Sequence, residues 1–113
     1  MTGKKHPKRG EIYWVEFDPS VGKETKKTRP GLIVSNDIGN EFSDIVMIAP
    51  ITSKVDRVYP VEVKVLIDGK QGKIMLNQCK AIDKSRLKSK IGRVDLDTMK
   101  QADESIKIVF ALS

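Results

Sequence analysis

The feature that most constrains this chain is the spacing of its apolar residues. Up to about residue 90 they come in short bursts separated by turn-forming residues, and no stretch there holds a helical period. Val61, Val63 and Val65 alternate with Glu62 and Lys64, the pattern of a strand, and Asp68 and Gly69 follow as a turn. In residues 11–17, Ile12 and Trp14 fall on one face and Tyr13, Val15 and Phe17 on the other, which predicts a strand at least partly covered on both sides. Leu32, Ile33 and Val34 form a second short run, closed by Ser35, Asn36 and Asp37 and then by Gly39 and Asn40. Residues 45–49 are an unbroken apolar run whose shortness and flanking turns favour a buried strand, and residues 73–76 and 80–82 supply further strands. Short strands at close spacing with no long helix between them predict an antiparallel sheet coiled into a small, partly closed barrel.

The last third of the chain changes period. Leu96, Met99, Ala102, Ile106 and Phe110 recur three and four residues apart behind Asp95, an N-cap residue, so an amphipathic helix should pack on the sheet. A shorter helical turn around residues 84–88, capped by Asp83, is also expected, which makes the class α+β. With 113 residues there is one domain, covering residues 11–113. Residues 1–10 carry Lys4, Lys5, His6, Pro7, Lys8 and Arg9 with nothing apolar to bury and read as a flexible basic arm, with His6 a solvated side chain. Residues 20–28 read as an exposed, charged loop.

The net charge of +6 favours an anionic partner, nucleic acid or an acidic protein segment, although many small proteins are this basic for solubility alone. The start of the chain lacks the apolar stretch of a signal peptide, no run is long enough to span a bilayer, and Cys79 has no second thiol to pair with. The expectation is a cytoplasmic protein with no membrane contact. One histidine and one cysteine cannot build a zinc site, and HExxH, paired CxxC, P-loop and dinucleotide glycine signatures are missing, so no metal site and no cofactor is expected. Cys79 and the serines lack a convincing base, which disfavours a covalent enzyme intermediate. RNA, by contrast, carries its own nucleophile in the 2'-hydroxyl. Arg29 stands where a charged loop meets an apolar strand, and Thr52 lies just beyond the third strand. On the residues alone, a surface ion pair and an ordinary strand-end hydroxyl compete with a catalytic reading of the two.

The segments Arg9-Gly10-Glu11-Ile12-Tyr13-Trp14-Val15, Arg29-Pro30-Gly31-Leu32-Ile33-Val34-Ser35-Asn36-Asp37 and Ala49-Pro50-Ile51-Thr52 match, in order and spacing, those of the MazF/PemK/Kid toxin endoribonucleases of type II toxin–antitoxin systems, which this chain resembles. Tyr59-Pro60-Val61-Glu62-Val63, residues 78–83 and the closing helix continue the resemblance over nearly everything after the arm.

The resemblance implies an SH3-like barrel with a few helices, a homodimer, a cognate antitoxin, contact with operator DNA only through that antitoxin, and sequence-selective cleavage of single-stranded RNA. It also implies that Arg29 and Thr52 are the catalytic pair. Candidate RNA contacts around them are Glu24, Lys27, Ser35, Asn36, Asn40, Ser53, Asn77 and Gln78. Other branches place a carboxylate before the glutamine of the later strand, where this chain has Asn77, so a base at that place is excluded. Arg29 offers a charged fork matched to phosphate and is a poor base, so transition-state stabilisation is its expected role, with Thr52 donating to a non-bridging oxygen or orienting the attacking hydroxyl. The products should be a 2',3'-cyclic phosphate and a 5'-hydroxyl. Two rivals are a gyrase-binding toxin of the same fold that cuts no RNA and a passive RNA-binding barrel, the latter poorly served by so few aromatics.

Overall fold

The computed structural model describes residues 6–17 and 27–113. Seven strands and two helices follow in the order β1 (Glu11–Val15), β2 (Arg29–Ile33), α1 (Asp37–Phe42), β3 (Ile45–Thr52), β4 (Glu62–Ile67), β5 (Lys70–Met75), β6 (Lys80–Asp83), β7 (Leu87–Arg93) and α2 (Leu96–Val109). All pairings are antiparallel, and the sheet runs β4-β5-β3-β2-β1-β7, with β6 paired to β3 off that path. One edge of β3 is shared: its first half pairs with β6 and its last two residues, Ile51 and Thr52, with Ile74 and Lys73 of β5. That division curls the sheet into a half-barrel, the α+β barrel with a C-terminal helix expected from the strand spacing.

Two apolar clusters hold the curl. Ile12, Leu32, Ala49, Ile51, Val63, Ile74, Leu76 and Ala102 are buried together, with Met99, Ile106 and Val109 of α2 against them. Val15, Phe17, Ile33, Val46, Ile48 and Ile82 form the second cluster. Strands β1, β2 and β3 contribute to both, which is why residues 11–17 read as covered on both sides and residues 45–49 as an unbroken apolar run. Asp95 caps α2 by accepting from the Thr98 amide, and Asp68 and Gly69 take positive φ at the tip of the β4–β5 hairpin. Among the described residues no helix is long and apolar enough to cross a membrane.

Several elements depart from the sequence expectation. β7 was not anticipated: its Leu-Lys-Ser-Lys-Ile-Gly-Arg stretch is mostly exposed, and its register with β1 shifts twice, so no clean alternation marks it. Helix α1 replaces a simple turn because the Asn36 side chain accepts from the Gly39 amide and starts a short helix. The expected turn after Asp83 is a 3-10 turn, Lys84–Arg86, with Asp83 accepting from the Ser85 amide.

The basic arm ends sooner than residue 10, although residues 1–5 lie outside the described part. Pro7 and Gly10 are buried, and Gly10 adopts a φ of 95°, open to glycine. The Arg9 amide donates to Asp37 and its guanidinium to the Val34 carbonyl and to Asp103 of α2. Those partners are distant in sequence, which is why composition alone read residues 6–10 as free.

Candidate active site

The β2–β3 register sets Gly31 opposite Pro50 and Ile33 opposite Ile48, and continued toward the start of β2 it brings Arg29 opposite Thr52. Both residues line one open cavity of about 500 Å³ at this rim of the sheet. Thr28, Pro30, Ser53, Lys54 and the hairpin residues Asp68, Lys70, Gln71 and Gly72 complete much of its wall. Arg29 is exposed and Thr52 partly so, each on a strand that fixes its backbone. The Thr52 hydroxyl accepts from the Lys54 amide, which leaves its own proton available to a ligand.

The cavity is cationic. Arg29, Lys54 and Lys70 have no carboxylate partner among the described residues, whereas Lys73, Lys88, Lys90 and Lys107 are all paired. Asp68 is the one acidic residue of the wall among those described. Trp14, Pro30, Ile51 and Ile67 give the cavity an apolar side, and Trp14 keeps 40 % of its surface exposed. A planar anionic ligand would find charge for its phosphate and an aromatic face for its base.

The loop after β3 is pinned beneath this site. Lys73, the register partner of Thr52, donates to the Arg57 carbonyl at 2.7 Å and to Glu62 Oε1 at 2.9 Å, and its ammonium lies 5.7 Å from the centre of the Tyr59 ring. Burial opposes the charge on Glu62, but the Tyr59 amide and Lys73 together outweigh it and hold this carboxyl below its usual range.

The other sequence candidates divide. Ser53 lines the cavity, and Lys27 is exposed one residue before Thr28 of its wall. Glu24 lies outside the described residues. Asn40 is fully buried, Ser35 and Asn40 hydrogen-bond to each other, and Asn36 caps α1, so these three build a turn and form no part of the cavity. Their polarity serves the backbone of residues 35–47, including the Met47 amide, which donates to the Ser35 hydroxyl. Asn77 and Gln78 are exposed in a 3-10 turn after β5, outside the cavity. Sequence reasoning missed Trp14, Lys54, Asp68, Lys70 and Gln71. Trp14 is a strand residue at the rim, and the hairpin residues reach the site only because the β4–β5 hairpin pairs with the end of β3. Among the described residues no cluster of three or more His, Cys, Asp or Glu could hold a metal ion.

A curled antiparallel half-barrel backed by one helix, with a basic cavity at its rim whose cations have no carboxylate partner among the described residues, defines a small β-barrel suited to an anionic, planar ligand. Comparison with known proteins makes this specific: the chain belongs to the PemK-like, MazF-like toxins of type II toxin–antitoxin systems, whose family model matches residues 8–110. The Endoribonuclease EndoA of Bacillus subtilis is 38% identical over 112 residues, covering 93% of this chain and 95% of that protein. Among solved structures, MazF from Deinococcus radiodurans superposes with a TM-score of 0.80 at 23% identity, covering 96% of this chain and 100% of the other. A MazE–MazF structure from the same organism gives a TM-score of 0.84 at 24% identity, covering 97% and 100%.

Proposed function

We propose that this chain is a toxin endoribonuclease that cuts single-stranded RNA, selectively by sequence and without a metal, through attack by the substrate's own 2'-hydroxyl. The observation that carries the reading is the convergence of Arg29, at the start of β2, and Thr52, at the end of the antiparallel β3, in one cationic cavity. Family membership and the similarity to EndoA support it. In the proposed reaction the 2'-hydroxyl gives its proton to solvent as its oxygen bonds to phosphorus, the bond from phosphorus to the 5'-oxygen breaks, and the leaving 5'-oxygen takes a proton from solvent, so no proton is consumed overall. The products are a 2',3'-cyclic phosphate and a 5'-hydroxyl. Negative charge on the non-bridging oxygens peaks in the transition state, where the Arg29 fork and the Thr52 hydroxyl act as donors. Arginine holds its proton too tightly for base catalysis, so Arg29 is a charge stabiliser.

The same reading includes a homodimer in the cytoplasm, a cognate antitoxin whose acidic segment occupies the basic cavity, and contact with operator DNA only through that antitoxin. The test is a cleavage gel with purified protein, a long single-stranded RNA and EDTA. Cutting in EDTA, with no cutting where the 2'-hydroxyl at the mapped site is replaced by hydrogen, is the expected result. Activity lost in EDTA and restored by magnesium, or cutting of the deoxy-substituted site, refutes the mechanism.

A further inference from the structure

A second cavity of about 560 Å³ adjoins the first, and the two share Gln71 and Gly72 of β5 in their walls. Gly72 is the threshold between them: a Cβ there would stand 3.1 Å from the Thr52 carbonyl oxygen and 3.2 Å from Ile51 Cγ2, so the backbone of β5 lies close against the end of β3. Beyond it, Lys64 and Arg93 face the second cavity, and neither has a carboxylate partner among the described residues. Asp95, also in the wall, is turned into the start of α2, where its carboxylate accepts from the Thr98 amide. Val55 and the two-thirds-exposed Leu66 add apolar surface.

We infer that the second cavity is an extended RNA subsite, which takes the nucleotides flanking the cut on one side and binds two of their phosphates through Lys64 and Arg93. The inference rests on the ribonuclease reading above and names where the strand goes after it leaves Arg29 and Thr52. Charge complementarity and continuity with the first cavity select the occupant: a strand held at the first cavity must leave along the groove, and the groove offers unpaired cations beside apolar walls. Among the described residues the hydrogen-bond and ion-pair pattern leaves both side chains free for this purpose, while Lys73, one strand over from Lys64 in the hairpin register, is consumed by Glu62.

A single-strand phosphate contact adds about 0.7 to the slope of log affinity against log salt, so two contacts are worth about 1.4 in slope and about 25-fold in affinity at 0.1 M salt relative to 1 M. The cut site is first mapped on a long single-stranded RNA. A 12-nucleotide RNA centred on that site is then compared at 0.1 M salt with the same RNA carrying two uncharged methylphosphonates in place of flanking phosphates, placed on each side of the cut in turn. On the side that the second cavity takes, wild type should prefer the unmodified RNA by about 25-fold in kcat/KM, and Lys64→Gln with Arg93→Gln should lose most of that preference, mainly through KM, with the salt slope for the unmodified RNA lowered by about 1.4. Lys100→Gln, an exposed cation on α2, should keep the preference. Both variants change exposed side chains, and circular dichroism checks that they fold. If the double variant keeps the wild-type preference and slope, the second cavity is not a subsite, whatever the enzyme cuts. If wild-type protein cuts neither RNA nor the long parent, the ribonuclease reading itself falls.

Discussion

Replacing Lys73 by methionine should unsettle both the fold and the cavity rim, by an amount that follows from its surroundings. The side chains of Lys73 and Glu62 are only 12% and 7% exposed, and removal of the ammonium leaves the Glu62 carboxylate with the Tyr59 amide as its remaining donor. Removing one partner of a fully buried pair costs about 3–5 kcal/mol. This pair sits on the outermost hairpin, where water can enter once the lysine is gone, so about 2–3 kcal/mol is the expected loss. In a domain of this size that corresponds to about 8–12 °C in melting temperature. The pH dependence has a definite sign. The lowered Glu62 value gives the parent stability that is present above the ordinary carboxylate pKa and lost as pH falls through the folded value. In the variant the stranded carboxyl should instead titrate high, so acidification relieves its penalty and the gap to the parent narrows between pH 7 and pH 4. Adding Glu62→Gln should restore much of the loss, because the uncompensated charge disappears. The Arg57 carbonyl also loses its donor, so the loop carrying Ser53 and Lys54 should loosen and KM for RNA should rise. Thermal melts followed by circular dichroism, from pH 7 to pH 4, decide the matter. A Lys73→Met variant melting within about 2 °C of the parent, or one whose deficit does not change with pH, would refute the reasoning.

Three further outcomes are expected at the site and beneath it. Folded Arg29→Ala should cleave about 100-fold more slowly or worse in single-turnover assays, and Arg29→Lys should recover only part of the rate because it keeps the charge and loses the fork; a parent rate in the alanine variant would remove Arg29 from the chemistry. Thr52→Ser should retain most of the rate and Thr52→Ala should not, since the hydroxyl carries the assigned role; equal rates for the two would contradict it. Gly31→Ala should cost about 2–3 kcal/mol by denaturant titration, because its Cβ would lie 2.5 Å from Ile48 Cγ2 and 2.9 Å from Phe17 Cζ; an unchanged midpoint would show that the second cluster repacks freely.

Elements that announced themselves in the sequence are those with local causes. The valine alternation of β4, the Asp68-Gly69 turn and the Asp95 cap all appear where the pattern placed them, because one-face burial, a positive φ and an orphan helix amide each leave a mark within a few residues. β7 leaves no such mark, since exposure and two register shifts erase its period. Arg9 looked free because its partners, Val34, Asp37 and Asp103, are contacts made by the whole fold. That Arg29 and Thr52 come to one rim was legible through the antiparallel order of β2 and β3. Lys54, Lys70 and Asp68 were not, because a hairpin tip becomes a cavity wall only once β5 pairs with the end of β3. Alternation placed Trp14 beside Ile12 but could not say that the rim leaves one exposed and the other buried.

The pairing of β1 with β7 bears on how the toxin comes off the ribosome. Glu11 pairs with Arg93, so the first strand, which meets β2 on one edge, waits on its other edge for the last strand, and Arg9 waits longer still for Asp103 in α2. Closure therefore depends on loop entropy spent over nearly the whole chain, and it cannot precede the synthesis of β7 and α2. At synthesis speeds of roughly 5–20 residues per second, a nascent chain would spend about 1–5 s with β2 and β3 made but the wall from β5 missing. A half-made toxin of this topology has Arg29 and Thr52 without the hairpin that encloses them. The interval before closure is a window in which an antitoxin already present could engage the chain before it becomes active.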